Sequence, residues 1–301
     1  MQTVLSVQNI SKNYGKIQAL NGLSFEVPQG SIFGILGPNG SGKTTTLGII
    51  LDVLKANSGS YSWMGEPSTS NVRKRIGTLL ETPNFYHYLS AIDNLHITQA
   101  ISGRGTKEDI DNCLKAVNLY ERRNSKFKTF SLGMKQRLAI GAALLGNPDI
   151  IVLDEPTNGL DPVGILETRE LIKRLAKEGK TIIMASHLLD EVEKVCTHVA
   201  ILKNGNLITS GSVNEILSTE DTVEISSNNL DELYSALSNY KNIKGIAKVD
   251  SKLQLNFAVS TANTEEINKY CFEQGIVLNL LSIKRKSLET KFFELTNPST
   301  N

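Results

Sequence analysis

The sequence has few cysteines, no long apolar run and almost no net charge. Its three cysteines stand far apart without CxxC spacing, which argues against a disulfide framework or a zinc site: Cys113, Cys196 and Cys271. No window approaches the roughly 18 to 20 apolar residues that a membrane helix needs, and the first residues lack the charged start and apolar stretch of a signal peptide. We therefore expect no membrane span, and any pore that this chain serves must belong to another polypeptide.

The charge balance disfavours one class of partner. With 32 basic and 31 acidic residues the net charge is +1, which gives no electrostatic reason for bulk binding to nucleic acid or anionic lipid. A length of 301 residues, 40% of them hydrophobic, is enough for a sizeable core and suggests about two domains.

Strand patterns alternate with helical patterns over the first part of the chain. Apolar runs predict strands at Val4–Val7, Leu23–Val27, 31–36, 150–153, 181–184 and 199–202. Residues from about 84 to 147 have apolar positions at helical spacing, which predicts a mainly helical insertion. The expected fold class is α/β, with a mainly parallel sheet, additional antiparallel strands and helices on both faces.

A composition shift near Ser218 predicts a boundary between a domain of residues 1–217 and a second domain of residues 218–301. The second part predicts the order strand, helix, two strands, helix and strand, which suits a small ferredoxin-like α+β domain. A final amphipathic helix is expected at Ser287–Leu295. This part shows no metal spacing or second phosphate loop, and Lys284–Lys286 is most simply a solvated charge run.

A glycine-rich loop follows the strand at 31–36, precedes a helix and fits the pattern GxxxxGK[ST]. Its glycines let successive N–H groups point at one anion, and the helix presents its positive end to the same phosphates. We expect Lys43 to reach the β- and γ-phosphates and the Thr44 hydroxyl to bind Mg²⁺. GTPases, kinases and helicases share this motif. The predicted nucleotide-binding residues are Gly37, Pro38, Asn39, Gly40, Ser41, Gly42, Lys43, Thr44 and Thr45.

The strand at 150–153 runs into two successive acids, Asp154 and Glu155. Alternation in a strand would send their side chains to opposite faces, but at a strand end both can serve one site. We expect Asp154 to hold Mg²⁺, directly or through water, and Glu155 to polarise an attacking water as general base.

Between these two segments lies Phe130–Arg137, which resembles the signature motif of ABC ATPases, usually written LSGGQ. The resemblance covers residues 1 to about 217 and is specific, because further family elements occur in the right order. These elements are an adenine-stacking aromatic at Tyr14, a Walker B continuation at Asp154–Thr157, a D-loop at Asn158–Asp161 and a switch histidine at His187.

The resemblance implies that the chain binds and hydrolyses ATP with Mg²⁺ as a dimer. Two chains would enclose two ATP molecules, each between the glycine-rich loop of one chain and Ser131 and Gly133 of the other. Asp161 would also lie at the nucleotide, and His187 would sense the γ-phosphate. The implied partners are a second copy and membrane permease subunits that hold the chain at the cytoplasmic face. The implied catalytic residues are Glu155, His187 and Lys43.

Two departures from the family pattern stand out. Leu132 and Met134 replace a signature glycine and the glutamine. Glu81 stands where the family normally has a glutamine that contacts Mg²⁺ and water, and it would add an anionic metal ligand. A glutamate at this position is a feature in which the chain resembles the ATPases that export bacitracin, lantibiotics and other drugs. Drift within the family would also explain it. The aromatic segment 84–89 suits either a partner contact or core packing.

The sequence thus predicts the ATPase subunit of an exporter. The alternative is a soluble ABC ATPase that acts on ribosomes or DNA. The ribosomal type usually carries two cassettes, the DNA-repair type carries long coiled coils or zinc modules, and near-neutral charge disfavours nucleic acid. A metabolic P-loop kinase or GTPase does not explain the segment Phe130–Arg137.

Overall fold

The computed structural model describes residues 2–81, 84–217, 221–258, 261–284 and 287–296. Its contacts divide the chain into two compact units, Met1–Ser212 and Val213–Asn301. This division precedes the predicted boundary at 217–218, because the short helix at 213–217 packs against the last helix of the second unit and is grouped with it.

The first unit alternates strands and helices. Two short 3₁₀ turns, Tyr120–Arg122 and Phe127–Thr129, precede its fifth helix. In chain order its elements are β1 (Thr3–Tyr14), β2 (Ile17–Pro28), β3 (Ile32–Leu36), α1 (Lys43–Ile50), β4 (Ser58–Trp63), β5 (Glu66–Pro67), α2 (Ser70–Arg73), β6 (Ile76–Leu79), α3 (Ala91–Ser102), α4 (Lys107–Ala116), α5 (Leu132–Ala143), β7 (Ile150–Asp154), α6 (Pro162–Lys177), β8 (Thr181–Ser186), α7 (Leu189–Val195), β9 (His198–Lys203) and β10 (Asn206–Ser212).

Two sheets organise this unit. The central sheet has the order β10-β9-β3-β8-β7-β6, and all neighbours are parallel except the antiparallel pair β10 and β9. Every residue of β3, β7 and β8 is buried, as in a parallel sheet covered on both faces. The other sheet is antiparallel, with the order β2-β1-β4-β5. The predicted mainly parallel sheet with additional antiparallel strands is confirmed.

The register of the central sheet positions the candidate site. Leu36 at the end of β3 pairs with Ser186 at the end of β8, and Asp154 at the end of β7 pairs with Ala185. Parallel strands end at the same edge of a sheet, where their following loops meet. The glycine-rich loop, the two acids and His187 therefore emerge side by side.

The predicted helical segment, 84–147, contains α3, α4 and α5. Side-chain caps begin these helices: Ser90 accepts from the Asp93 amide, and Thr106 forms a capping box with Asp109. The guanidinium of Arg104, between α3 and α4, donates to the carbonyl of Ile76 in β6 at 2.5 Å and so ties this segment to the central sheet.

The elements of the second unit are α8 (Val213–Leu217), β11 (Asp221–Ser227), α9 (Leu230–Leu237), β12 (Ile243–Val249), β13 (Lys252–Phe257), α10 (Thr264–Glu273), β14 (Leu278–Lys284) and α11 (Leu288–Thr296). Its strands form an antiparallel sheet of order β12-β13-β11-β14. The core lies between this sheet and the helices α9 and α10, with Leu233 and Ile267 fully buried on the helix side. The sequence predicts the two middle strands around Gly245–Val259 and a charge run at Lys284–Lys286, and both ranges extend beyond the described residues.

Candidate nucleotide site

An open cleft of about 670 Å³ lies in the first unit, where the central strands end. It brings together nine predicted site residues from the first strand, the glycine-rich loop, and the turns after β7 and β8. They are Tyr14, Asn39, Gly40, Gly42, Lys43, Thr44, Thr45, Glu155 and His187.

The backbone of the glycine-rich loop requires glycine at two positions. Gly37 has φ +155 and Gly42 has φ +106. A Cβ on Gly42 would lie 2.5 Å from Leu20 Cδ2, and one on Gly37 would lie 2.3 Å from the Leu202 carbonyl oxygen. Gly42 is also the N-cap of α1, so no side chain occupies the first amides of this helix, and no acid stands in its first turn. These amides are therefore available to an anion.

Lys43 is a buried cation at the floor of the cleft. Its side chain is 6% exposed, and its Nζ donates to the carbonyl oxygens of Gly37 at 2.9 Å and Pro38 at 3.3 Å. The same Nζ lies 3.5 Å from Glu155 Oε1. A cation held by its own loop in this way can neutralise charge on a bound phosphate.

Glu155 is joined to two other predicted catalytic side chains. Its second oxygen, Oε2, lies 2.9 Å from Nδ1 of His187, while Oε1 faces Lys43. The strand ends at Asp154, and Glu155 adopts a left-handed φ of +47 with its amide bonded to the carbonyl of Ala185 at 3.0 Å. This turn is why two successive acids can approach one site instead of facing opposite sides of the sheet.

Asp154 lies behind the cleft and is 3% exposed. Burial raises the pKa of this carboxyl, and the negative charges of Glu155 and Glu81 add to that rise. A hydrogen bond from the Thr44 hydroxyl and the positive charge of Lys43 oppose it. Its Oδ1 is buried without a hydrogen-bond partner among the described residues. A buried carboxylate oxygen with no donor, next to a hydroxyl, is a donor set suited to a hard cation.

The surroundings of Asp154 fit Mg²⁺ better than a cage-bound metal. Within the described part of the chain, no group of three or more His, Cys, Asp or Glu side chains could hold a metal ion. Mg²⁺ is commonly held by one or two carboxylates with water and substrate phosphates. Glu81 acts on Asp154 through its charge and has a left-handed φ of +59. The residues that follow it, Thr82 and Pro83, lie outside the described ones.

Three predicted nucleotide ligands from outside the glycine-rich loop do not line the cleft. Ser131 caps α5, where its Oγ accepts from the Met134 amide at 3.2 Å. Asp161 caps α6 in the same manner, through the Gly164 amide at 2.8 Å. A Cβ on Gly133 would lie 3.8 Å from the Gly164 Cα, so the two helix starts are neighbours. Ser131, Gly133 and Asp161 thus form a separate group, in which Ser131 and Asp161 are exposed and Gly133 is half-buried.

The remaining loop residues support the cleft from behind or beside it. Gly37 is buried, Pro38 is exposed, and Ser41 is buried with no hydrogen-bond partner for its hydroxyl among the described side chains.

Tyr14 is about half exposed, and the Lys12 Nζ lies 5.2 Å from the centre of its ring. A flat, accessible ring at the mouth of the cleft can stack on a planar base.

Sequence reasoning missed five lining residues: Ile17, Gln18, Ala19, Asn158 and Asn204. A signal existed for the first three, because Gly15 after Tyr14 indicates a tight turn, and the hairpin it forms pairs Tyr14 with Ile17. No local pattern distinguishes Asn204, which reaches the cleft only through the turn between β9 and β10.

The aromatic segment 84–89 packs partly in the core and is partly exposed. The rings of Phe85 and His87 pack on the buried ring of Phe127, at centroid distances of 5.2 and 5.6 Å. Tyr86 and Tyr88 are at least half exposed. Alternate residues therefore anchor the segment and face outward.

Comparison with known proteins decides the family. The ABC transporter family model matches residues 20–158. The bacitracin transport ATP-binding protein BcrA of Bacillus licheniformis is 36% identical over 312 residues, an alignment that covers 100% of this chain and 99% of the relative. The chain belongs to the ABC transporter family. As an ABC ATPase it binds ATP and hydrolyses it in the service of transport.

Two further comparisons refine this membership. The lantibiotic transport ATP-binding protein SrtF of Streptococcus pyogenes is 38% identical over 205 residues, which cover 68% of this ABC protein and 89% of SrtF. A solved dimeric ATP-binding cassette, bound to ADP and Pi in a post-hydrolysis state, is 28% identical with a TM-score of 0.60. That match covers 69% of this chain and 98% of the cassette. No helix of the described residues is long and apolar enough to span a membrane.

Proposed function

We propose that this ABC ATPase powers the export of an antimicrobial peptide or related drug through separate membrane subunits. BcrA and SrtF are named for bacitracin and lantibiotic transport, and each is more than 30% identical over two thirds or more of this chain. The single observation that carries the ATPase site is the convergence of Lys43, Glu155 and His187 in one cleft beside buried Asp154. Nothing favours the alternative of a soluble cassette acting on ribosomes or DNA.

Glu155 is the general base of the proposed reaction. A water oxygen bonds to the γ-phosphorus, the bond from that phosphorus to the bridging oxygen breaks, and Glu155 accepts the proton of the water. Lys43 neutralises charge on the β- and γ-phosphates. His187 fixes the carboxylate through Nδ1, and its Nε2 contacts the γ-phosphate, to which it donates when protonated. Tyr14 stacks on the adenine.

Asp154, Thr44 and Glu81 are the proposed Mg²⁺ residues. The unpartnered Oδ1 of Asp154 supports this role, and the bond from the Thr44 hydroxyl keeps both oxygens close together. When bound, Mg²⁺ would neutralise charge on the β- and γ-phosphate oxygens. Glu81 adds negative charge at the same place and follows the strand β6, so it suits a link between the metal and the membrane partner.

Dimerisation completes the proposed site. Ser131, Gly133 and Asp161 lie outside the cleft of their own chain, and Ser131 and Asp161 are exposed, which supports their use as ligands for the nucleotide of a second copy. The related cassette solved as a dimer with ADP and Pi supports the same arrangement. The membrane subunits would then hold the dimer at the cytoplasmic face, and no nucleic acid is required.

The second unit is proposed to be a ferredoxin-like accessory domain, with the domain boundary close to residues 213–218. Its element order is β11, α9, β12, β13, α10 and β14, and its sheet order is β12-β13-β11-β14. Both orders support the ferredoxin-like α+β domain that the sequence predicts.

The variant Glu155→Gln tests the proposed function. It keeps the size of the side chain and removes the base, so ATP hydrolysis should fall by at least about 100-fold while ATP binding persists. Sedimentation of this variant with ATP and Mg²⁺ should show a dimer that dissociates when nucleotide is removed. The control is Glu170→Gln, which alters an exposed acid paired with Lys173 on α6 and should leave hydrolysis unchanged. Normal hydrolysis by Glu155→Gln would exclude this residue as the base.

A further inference from the structure

The second unit exposes two very different sheet edges. Its sheet ends in β12 on one side and β14 on the other. Within the described residues, each of these strands pairs with one neighbour only, β12 with β13 and β14 with β11. An edge strand presents unpaired N–H and C=O groups and can accept another strand unless its sequence prevents this.

The edge at β12 is protected against pairing. Its sequence, IKGIAKV, places the exposed lysines Lys244 and Lys248 on a seven-residue strand, and the register shifts between Ile243 and Gly245. Lysine, glycine and irregular register are the usual means by which natural sheets avoid edge pairing. An antiparallel copy centred on Ile246 would bring Lys244 opposite Lys248 of the other chain, twice, and like charges directly opposite are destabilising.

The edge at β14 has no such protection. Its sequence is LNLLSIK, with no charge before the final residue Lys284. An antiparallel copy centred on Leu281 would pair Asn279 with Ile283 and Leu280 with Ser282, and would place Lys284 opposite Leu278. None of these pairs brings like charges together, so the strand is complementary to itself. Pairing about such a centre is isologous and fits a two-fold axis.

Exposed apolar side chains accompany the unprotected edge. Val277, immediately before β14, is 73% exposed. Ile283 within the strand is 43% exposed. Large apolar groups concentrated near an unpaired edge are typical of a surface that is covered in the working assembly.

We propose that β14 is a dimerisation edge, at which the second units of two copies of this chain join their sheets antiparallel about Leu281. The occupant is a second copy because the strand carries no charge before Lys284 and is self-complementary, whereas an acidic or basic partner would find no opposite charge along residues 278–283. The proposal rests on the two-fold dimer of the proposed function and adds a contact that does not depend on nucleotide. Such a contact would keep two ATPase units at high effective concentration after hydrolysis separates them.

The first measurement is sedimentation of the full chain without nucleotide over a range of concentrations. A reversible dimer is expected. The double variant Asn279→Lys/Ile283→Lys places lysine opposite lysine at both ends of the paired strands, so its dissociation constant should rise by about ten-fold or more. The matched control Ala247→Lys/Val249→Lys adds the same charge to exposed positions of β12 and should dimerise like the parent chain.

A charge-complementary variant separates disrupted pairing from misfolding. Asn279→Glu/Ile283→Lys places opposite charges across the same two positions, so dimerisation should be restored to at least the parent level. A variant with cysteine at both 279 and 283 should form a disulfide-linked dimer under oxidation, because each cysteine faces the other position of the second copy. The native cysteines are buried and contribute little to such a product.

Three results would overturn the proposal: a nucleotide-free parent that stays monomeric, a double-lysine variant that dimerises like the parent, or β14 pairing with a membrane subunit instead. None of these affects ATP-dependent dimerisation of Glu155→Gln, which tests the ATP sandwich alone. Conversely, loss of the ATP-dependent dimer with a persisting nucleotide-free dimer would reject the sandwich and retain the β14 contact.

Discussion

The starts of α1 and α5 differ in how their first backbone amides are capped. Both helices begin after a Ser- or Gly-containing motif that the sequence assigns to phosphate, and neither has an acid in its first turn. At α1 the N-cap is Gly42, which has no side chain, and its amides face a cleft that also holds Lys43 and Glu155. At α5 the N-cap is Ser131, whose own hydroxyl accepts from the Met134 amide at an exposed position.

The difference supports the proposal that one chain carries the two halves of a nucleotide site in separate places. The start of α1 has Lys43, the proposed base Glu155 and the proposed metal ligand Asp154 beside it. The start of α5 has none of these, and it adjoins the start of α6 at Gly164. A second chain is the simplest means of bringing the two halves together, and the following changes test each half separately.

Replacing Lys43 with alanine should have the largest effect. It removes the buried cation from the first half, so hydrolysis should fall by roughly 100- to 1,000-fold and ATP affinity should fall with it. Steady-state hydrolysis and equilibrium binding of a fluorescent ATP analogue measure both. The matched control is Lys180→Ala, another buried lysine, which bonds to Asn147 and Pro148. That control should lose stability but keep its ATP affinity; equal loss of affinity in both variants would contradict the phosphate role of Lys43.

Replacing Asp154 with asparagine should separate activity from stability. Hydrolysis should fall by about 100-fold, because a charged Mg²⁺ ligand is lost. Burial raises the pKa of Asp154, so its ionised form costs folding free energy at neutral pH, and this cost disappears as pH falls through the folded-state pKa. The nucleotide-free variant should therefore unfold a few degrees higher at pH 7 than the parent, in a thermal melt followed by the fluorescence of Trp63.

The stabilisation of Asp154→Asn should shrink as the pH is lowered, since the parent then carries a neutral carboxyl at the same place. A variant that is less stable than the parent at pH 7 would show that the charge of Asp154 is compensated within the chain, contrary to its unpartnered Oδ1.

Replacing Ser131 with alanine tests the second half and should have a smaller effect. ATP binding to the monomer should be unchanged, because Ser131 does not line the cleft of its own chain. Hydrolysis should fall about ten-fold and the ATP-dependent dimer should weaken, since one charge-assisted hydrogen bond is lost. The helix cap is also lost, at a cost of about 1 kcal/mol.

Ser90→Ala is the matched control for that cap. Ser90 begins α3 by the same bond, with its hydroxyl accepting from the Asp93 amide at 3.2 Å. It should lose similar stability without losing hydrolysis. If both variants lose activity equally, the effect of Ser131 comes from helix stability and not from contact with a nucleotide.

Replacing Glu224 with glutamine should have the smallest effect and touches neither helix start. Hydrogen bonds from Lys252 and Lys284 hold the pKa of Glu224 down at about 2. A carboxyl whose pKa is lowered by folding stabilises the folded state at pH values above its ordinary pKa of about 4.5. This stabilisation is lost as the pH falls toward 2. Amide hydrogen exchange in β11 and β13 should therefore be faster in the variant at pH 7, and the difference should vanish in acid.

Two controls accompany the Glu224→Gln experiment. Asp231 makes an exposed pair with Lys248, so Asp231→Asn should change exchange little. ATP hydrolysis by the first unit should be unchanged in both variants. A change in hydrolysis on replacing Glu224 would mean that the second unit regulates the ATPase.

Local sequence patterns predicted the elements whose burial is complete. β3, β7 and β8 are short apolar runs, and every one of their residues is buried, so composition alone identifies them. β4, with the sequence SGSYSW, was not predicted, because its serines carry no apolar alternation and it is fixed by pairing with β1. β6 was also missed, because it is only four residues long and lies at the edge of the sheet.

The sequence by itself determined the phosphate loop, because the pattern GxxxxGK[ST] is local. The structure gives the reason for two of its glycines: Gly37 and Gly42 have positive φ angles, and a Cβ on either would clash with its neighbours. Tertiary structure decided which residues meet there. The pairing of Asp154 with Ala185 and of Leu36 with Ser186 places Glu155 beside Lys43 and His187, although these residues are far apart in the chain. Tertiary structure likewise decided that Ser131 stands apart, since a local motif specifies a helix start but not the direction in which it faces.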